Sequence, residues 1–234
     1  MGDVVLKAEG LRKQFFRKSR ESARNFDAVA EVNLQLRAGE LVALMGRSGS
    51  GKSTLVNMLA GLSVPTEGSV SIGGTDLYAL DDVRLSEFRN KMVGVVPQGQ
   101  TALHSLSVIE NVTLPYLMHR VDDGAERRAL DLLDRVGIAH LADAYPRELS
   151  GGELRRIAIA RSLICSPAVL FADEPTGDLD DENTRSVLDF LRGTADGGAA
   201  VLVVTHEDSV EGYADRFLRM DSGKCVEAGQ ADLD

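Results

Sequence analysis

The chain has 234 residues, 44% of them hydrophobic and 26% charged, which suits one large domain, or a core domain with a sizeable insertion, stable without disulfide or metal staples. A formal net charge of −10 argues against broad binding to nucleic acid or to anionic lipid, because like charges repel and no counterion release drives association. The longest apolar stretches, such as Ala199–Val204, are far below the roughly 18 residues that a bilayer span requires, so work at a membrane is expected to come by docking onto another protein.

From the N-terminus, Met1–Gly10 lacks the basic start and apolar run of a secretory leader, and Val4–Glu9 alternates weakly, which predicts an edge strand. Phe16-Arg17-Lys18-Ser19-Arg20 and Arg24 form a basic cluster expected in a solvated loop. Ala28–Leu36 alternates apolar and polar residues over nine positions, a strand with one wet face. Leu41–Met45 is a continuous apolar run leading into glycine-rich sequence, as a buried central strand reads when it delivers a loop to a sheet's carboxyl edge. Lys52–Leu62 then has helical spacing through Leu55, Met58, Leu59 and Leu62. Met92–Val96, Val169–Ala172 and Val201–Val204 are three more short apolar runs, each ending at polar residues. Buried strands alternating with helices predict an α/β fold whose mainly parallel central sheet holds ligands at its carboxyl edge.

Between about 98 and 150 apolar residues recur every three or four positions, with no buried-strand run, which predicts an all-helical subdomain; Gly137 is its expected helix stop after Ala125–Arg135. Asp221-Ser222-Gly223-Lys224 between short apolar stretches predicts a hairpin, giving the sheet an antiparallel edge. The chain is therefore expected to form one domain over 1–234, with a core from 1–97 and 151–234 and the helical subdomain between them. No repeat or regulatory domain is expected, and Cys165 and Cys225, lacking any CxxC or metal-ligand spacing, are expected to be free thiols in a reducing compartment.

Gly46-Arg47-Ser48-Gly49-Ser50-Gly51-Lys52-Ser53 matches the phosphate-binding P-loop pattern at every fixed position, and it lies between a predicted strand and a predicted helix. Such a loop turns its backbone N–H groups toward the phosphates of a nucleoside triphosphate, reinforced by the helix dipole. Lys52 would reach the β- and γ-phosphates, Ser53 would ligate Mg²⁺, and Thr54 would contact the α-phosphate. Val169-Leu170-Phe171-Ala172-Asp173-Glu174 is an apolar strand ending in two carboxylates, expected to lie beside the strand that precedes the loop. Asp173 is then placed to hold Mg²⁺, and Glu174 to orient or polarise an attacking water.

Leu149-Ser150-Gly151-Gly152-Glu153 precedes the helical run Leu154–Ile164. A serine hydroxyl and two glycine N–H groups at a helix start make an outward-facing anion site; a plain serine N-cap with a glycine turn is the structural alternative. With this string the chain resembles the ATP-binding cassette (ABC) proteins, and the resemblance covers nearly its whole length. It implies that Ser150, Gly151 and Gly152 close over the γ-phosphate held by the P-loop of a second copy. Gln98, following Val93–Pro97, is similar to the family's Q-loop glutamine, implied to sense Mg²⁺ or the lytic water and to couple the site to a membrane partner. Gly177-Asp178-Leu179-Asp180 resembles the D-loop, which communicates across the dimer and brings Asp180 to the nucleotide. His206, after Val201–Thr205, is similar to the switch histidine on the γ-phosphate; His104, His119 and His140 are expected at the surface. Phe15 occupies the place of the aromatic that stacks on adenine, with Phe16 as the competitor. The chain departs from the family at Arg155, where glutamine is frequent and ribose contact across the dimer is implied, at Asp178 in place of asparagine, and at Gly99-Gln100.

Within the family, Ala172-Asp173-Glu174-Pro175-Thr176-Gly177 and Val108-Ile109-Glu110-Asn111-Val112 with Leu114-Pro115 resemble the lipoprotein-release, macrolide-export and cell-division group. The resemblance implies an ATP-hydrolysing subunit at the cytoplasmic face of the cell membrane, with ATP and Mg²⁺ as cofactors and head-to-tail dimerisation. Its implied partners are a second copy, an integral-membrane permease and, through the permease, a periplasmic or extracellular adaptor, with no nucleic acid. The alternatives are an ATPase that regulates cell-wall division machinery through a membrane partner and an ABC ATPase without a transporter.

Overall fold

Among the described residues, two sheets and six α-helices form in the order β1 (Val4–Lys18), β2 (Ala23–Arg37), β3 (Leu41–Met45), α1 (Lys52–Leu59), β4 (Glu67–Ile72), β5 (Thr75–Asp76), α2 (Asp82–Met92), β6 (Val93–Val96), α3 (Val108–Leu117), α4 (Ala125–Arg135), α5 (Gly151–Leu163), β7 (Val169–Asp173), α6 (Asp181–Asp196), β8 (Ala200–Val204), β9 (Arg216–Asp221) and β10 (Lys224–Ala228). They are seen in a computed structural model that describes residues 2–18, 23–99, 101–118, 124–177 and 179–228. No helix among these residues is long and apolar enough to cross a membrane.

The smaller sheet is antiparallel, in the order β2-β1-β4-β5. The expected edge strand at Val4–Glu9 is therefore interior, paired with β2 on one side and β4 on the other. Side-chain polarity reports which face of a strand is wet, whereas the neighbours along the sheet are chosen by backbone groups that carry no side-chain signal. The described part of the basic cluster is strand rather than loop: Phe16, Arg17 and Lys18 pair with Asn25, Arg24 and Ala23 in a continuing ladder, and Ser19–Ser22 lie outside the described residues. In β2 the alternation holds from Val32 through Leu34 to Leu36, all buried, but Val29 is buried three residues before Val32, because the ladder shifts register there and Glu31 takes a positive φ of +55°.

The larger sheet runs β10-β9-β3-β8-β7-β6, parallel except for the β9–β10 hairpin. β3 and β8 are buried at every position because both faces are covered, which is why they read as unbroken apolar runs. Period-2 geometry divides their side chains: Leu41, Ala43, Leu170, Ala172, Val201 and Val203 face α3, α4, α5 and α6, while Val42, Leu44, Phe171, Leu202 and Val204 face α1 and the smaller sheet. Strand β7 does not lie beside β3 as expected; β8 separates them. Adjacent strands are about 4.8 Å apart, so the carboxylates at the end of β7 stand about 10 Å across the sheet from β3, and the glycine-rich loop must lean over β8 to meet them.

Helix α1 ends at Leu59, short of the expected Leu62, with Gly61 following and Leu62 N–H turning back to the Asn57 carbonyl. Met92 closes α2 rather than opening β6. Between β6 and β7 the described residues contain helices and turns only. Helix α4 stops where Gly137 and Ile138 N–H groups bond back to the Asp134 and Leu133 carbonyls, the paired bonds of a helix C-cap. Val112, Tyr116, Ala129, Leu133 and Ile157 bring α3, α4 and α5 into one core continuous with the sheet. The helix α5 that follows Ser150 thus packs with the helical segment that precedes it.

Candidate functional site

Strand β3 ends at Met45, and the loop from Gly46 to Gly51 passes between β9 and β2. A Cβ on Gly46 would stand 2.3 Å from the Met220 carbonyl oxygen, and one on Gly51, where φ is +108°, 2.1 Å from that of Ala28. Only glycine lets the loop through these two gaps. The Lys52 ammonium opens α1 and is held by the carbonyl oxygens of Gly46 and Arg47 at 2.5 and 3.1 Å. The loop borders a cavity of about 830 Å³, which Gly46, Arg47, Ser48, Gly49, Ser50, Gly51, Lys52, Ser53 and Thr54 all line. Ser50 Oγ is buried there without a hydrogen-bond partner among the described residues.

Across β8, Ser53 Oγ donates to Asp173 Oδ2 at 3.0 Å. Burial pushes the Asp173 carboxyl above its ordinary range, and the Ser53 hydrogen bond opposes this. Glu174 follows with φ +48°, a left-handed backbone that a non-glycine residue adopts only when its surroundings enforce it; here its N–H is fixed to the Val204 carbonyl at 2.8 Å. One carboxylate oxygen, Oε1, lies 2.9 Å from His206 Nδ1, and this contact holds the imidazole above its ordinary pKa. The other, Oε2, is buried and finds no partner among the described residues. Asp173, Glu174, His206 and Gln98 all line the same cavity as the P-loop.

Phe15 lines the far end of this cavity, while its competitor Phe16 does not. Phe26, unnoticed in the sequence, joins Phe15 with ring centroids 5.9 Å apart, because the two are cross-strand partners in β1 and β2. No local pattern around Phe26 announces this role, which comes from the pairing of β1 with β2. Asp27, also on the lining, is paired with Arg12 at 3.1 Å.

Ser150, Gly151, Gly152 and Asp180 are not brought into this cavity. Ser150 caps α5, accepting from Glu153 N at 3.4 Å and donating its hydroxyl to Glu153 Oε2 at 2.7 Å. Within one chain Ser150 thus serves as the N-cap of α5, and Ser150 and Gly151 stay exposed. Asp180 caps α6 through the Asn183 N–H at 2.8 Å. Asp178, Gln100 and His119 lie outside the described residues, and His104 and His140 are exposed. Cys165 and Cys225 are free thiols.

The family model described as "ABC transporter" matches residues 29–177, from inside β2 through both carboxylates. The chain belongs to the ABC transporter ATP-binding family. Among its ABC relatives, the lipoprotein-releasing system ATP-binding protein LolD of Hydrogenovibrio crunogenus is 41% identical over 228 residues, covering 97% of each chain. The macrolide export ATP-binding/permease protein MacB of Chlorobium luteolum is 41% identical over 200 residues, 86% of this chain and 30% of that protein. A dimeric post-hydrolysis structure of the ATP-binding cassette MJ0796 bound to ADP and Pi superposes with a TM-score of 0.86 at 32% identity, covering 96% of this chain and 99% of that one. The fold is that of an ABC cassette, and the protein is an ATPase, the ATP-binding subunit of an ABC transporter related to LolD and MacB.

Proposed function

We propose that two copies of this chain close head-to-tail around ATP and use its hydrolysis to drive a membrane permease of the lipoprotein-release or macrolide-export kind. The observation that carries this reading is the division of the site. P-loop, carboxylates, Gln98 and His206 line one cavity, whereas the anion-binding start of α5 and Asp180 lie away from it. A γ-phosphate in this cavity would be completed by Ser150, Gly151 and Gly152 of another copy, with Asp180 carried at the same boundary.

In that closed state Phe15, with Phe26 beside it, offers a face to adenine, and the P-loop amides and Lys52 take the phosphates. Ser53 and Asp173 present hard oxygen ligands 3.0 Å apart, with Gln98 on the same cavity, a donor set suited to Mg²⁺, which would neutralise phosphate charge when bound. Glu174 orients the attacking water through its unsatisfied Oε2, and His206 stands beside it as a donor toward the γ-phosphate. Catalysis is then mostly positioning and charge stabilisation, and the site stays incomplete until the second copy arrives.

A permease contact is supported by the MacB relative, in which this chain matches only the ATP-binding share of a protein named for both functions. It is also supported by exposed Leu62 and Met118 lining a cleft of about 270 Å³ between α2, β6, α3 and α5, since such apolar exposure favours a protein partner. Any adaptor would be reached through that permease.

Two experiments test the shared site. ATP turnover per molecule should fall steeply as the isolated protein is diluted below its dimerisation range; turnover independent of dilution down to demonstrable monomer would overturn the reading. Ser150→Arg should leave binding of a fluorescent ATP analogue by the monomer within about twofold, because Ser150 is remote from the chain's own cavity, while abolishing the ATP-dependent dimer on size exclusion, where a desolvated unpaired charge is costly. A dimer that still forms sinks the proposed role of Ser150.

A further inference from the structure

We propose that Arg155 is a positioning residue for Gln98: carried on α5, its guanidinium fastens the start of the Q-loop and so sets where Gln98 stands on the nucleotide cavity. Arg155 Nη1 donates to the Pro97 carbonyl at 3.1 Å. The β6–β7 ladder ends at the pair Val96–Ala172, so Pro97 lies just beyond it. Proline has no N–H, which leaves its carbonyl as the one backbone handle at that point, and Arg155 grips it. Gln98, exposed and lining the cavity, is the next residue.

The other end of the same segment is held from the same helix. Arg161 donates to the Thr101 carbonyl at 2.9 Å and to Thr101 Oγ1 at 2.5 Å. Two arginines of α5 therefore fasten the stretch from Pro97 to Thr101 at both ends. At the position where the family resemblance implies an altered ribose contact across a dimer, the Arg155 guanidinium within the chain holds the Pro97 carbonyl.

The choice of arginine matters. A guanidinium is always charged and presents its donors in a rigid fork, so one charge-assisted bond to a carbonyl holds a loop more firmly than a neutral amide does. Helix α5 is also capped by Ser150, in the string proposed to meet the second copy's phosphate. One helix thus joins that contact to the placement of Gln98, so closure by the partner is felt in the chain's own cavity. The role of Gln98 rests on the function proposed above; the fastening itself does not.

The test uses the full chain in two measurements. In nucleotide-free, dilute protein, Arg155→Ala should raise amide hydrogen exchange in the peptide spanning 95–103 by about tenfold, with peptides from β7 and α1 unchanged, and Arg155→Lys, which keeps the charge but not the fork, should retain part of the protection. In ATP turnover at concentrations where copies associate, Arg155→Ala should lower kcat about tenfold with KM for ATP within twofold, and in a Gln98→Ala background it should change kcat by less than twofold. Unchanged exchange in 95–103, a lysine variant as poor as alanine, or losses that add independently of Gln98 would each overturn the proposal. Failure of turnover to depend on protein concentration would instead strike the shared-site function, since the exchange measurement needs neither nucleotide nor a second copy.

Discussion

Replacing Lys52 with alanine is expected to lower ATP turnover by about a hundredfold to a thousandfold, the range found when one preorganised donor to a developing phosphate or oxyanion charge is lost. Lys52 is 9% exposed and sits at the first turn of α1, its ammonium pre-placed by the carbonyls of Gly46 and Arg47 at the edge of the cavity. No large reorganisation is needed to bring it to a phosphate, so most of its charge is available to the transition state. Alanine keeps the helical propensity at that position, and the buried face of α1, through Leu55, Met58 and Leu59, is untouched. The unfolding midpoint should therefore change little while phosphate release nearly stops. Turnover near the unaltered rate would remove the P-loop assignment.

Glu174→Gln should be as damaging to turnover, about a hundredfold to ten-thousandfold, the usual contribution of a positioned proton acceptor, yet leave ATP binding intact. The amide fills the same space and keeps the backbone N–H bond to Val204, but the buried Oε2, or its amide replacement, no longer presents a carboxylate to water. With hydrolysis blocked and the phosphate contacts retained, a closed two-copy species should accumulate on adding ATP, seen as a larger particle in size exclusion. The same change removes the carboxylate that holds His206 above its ordinary pKa, so the imidazole should titrate at a lower pH in the variant, as followed by NMR. A variant that turns over normally would contradict the water-positioning role.

Much of the cavity lining was legible before any coordinates, because phosphate chemistry demands particular residues at particular spacing. The loop from Gly46 to Thr54, the carboxylates Asp173 and Glu174, and His206 after Thr205 each sit at the end of an apolar run, and a parallel sheet gathers such ends along one edge. The hairpin at Ser222–Gly223 was legible from turn residues alone. Strands β4 and β5 and helix α2 went unread. The first buries only Val70 and Ile72, and α2 buries only Leu85, so neither carries a strong periodic pattern. Phe26 was missed because its importance arises from pairing with Phe15 across a hairpin, not from its own neighbours in the chain.

The sequence by itself determined the chain's chemical capacity: which polar groups stand at the ends of apolar runs, which strands are buried on both faces, and that the Ser150 string is a separate element from the P-loop. Only the tertiary structure decided the neighbours. It put β8 between β3 and β7, made β1 an interior strand, left Ser150 and Asp180 off the chain's own cavity, and turned Arg155 onto Pro97. The reason is physical. Residue type and spacing encode local preference and chemical capacity, whereas strand order and long-range contacts depend on backbone hydrogen bonds and packing summed over distant segments, to which no single stretch of sequence holds the key.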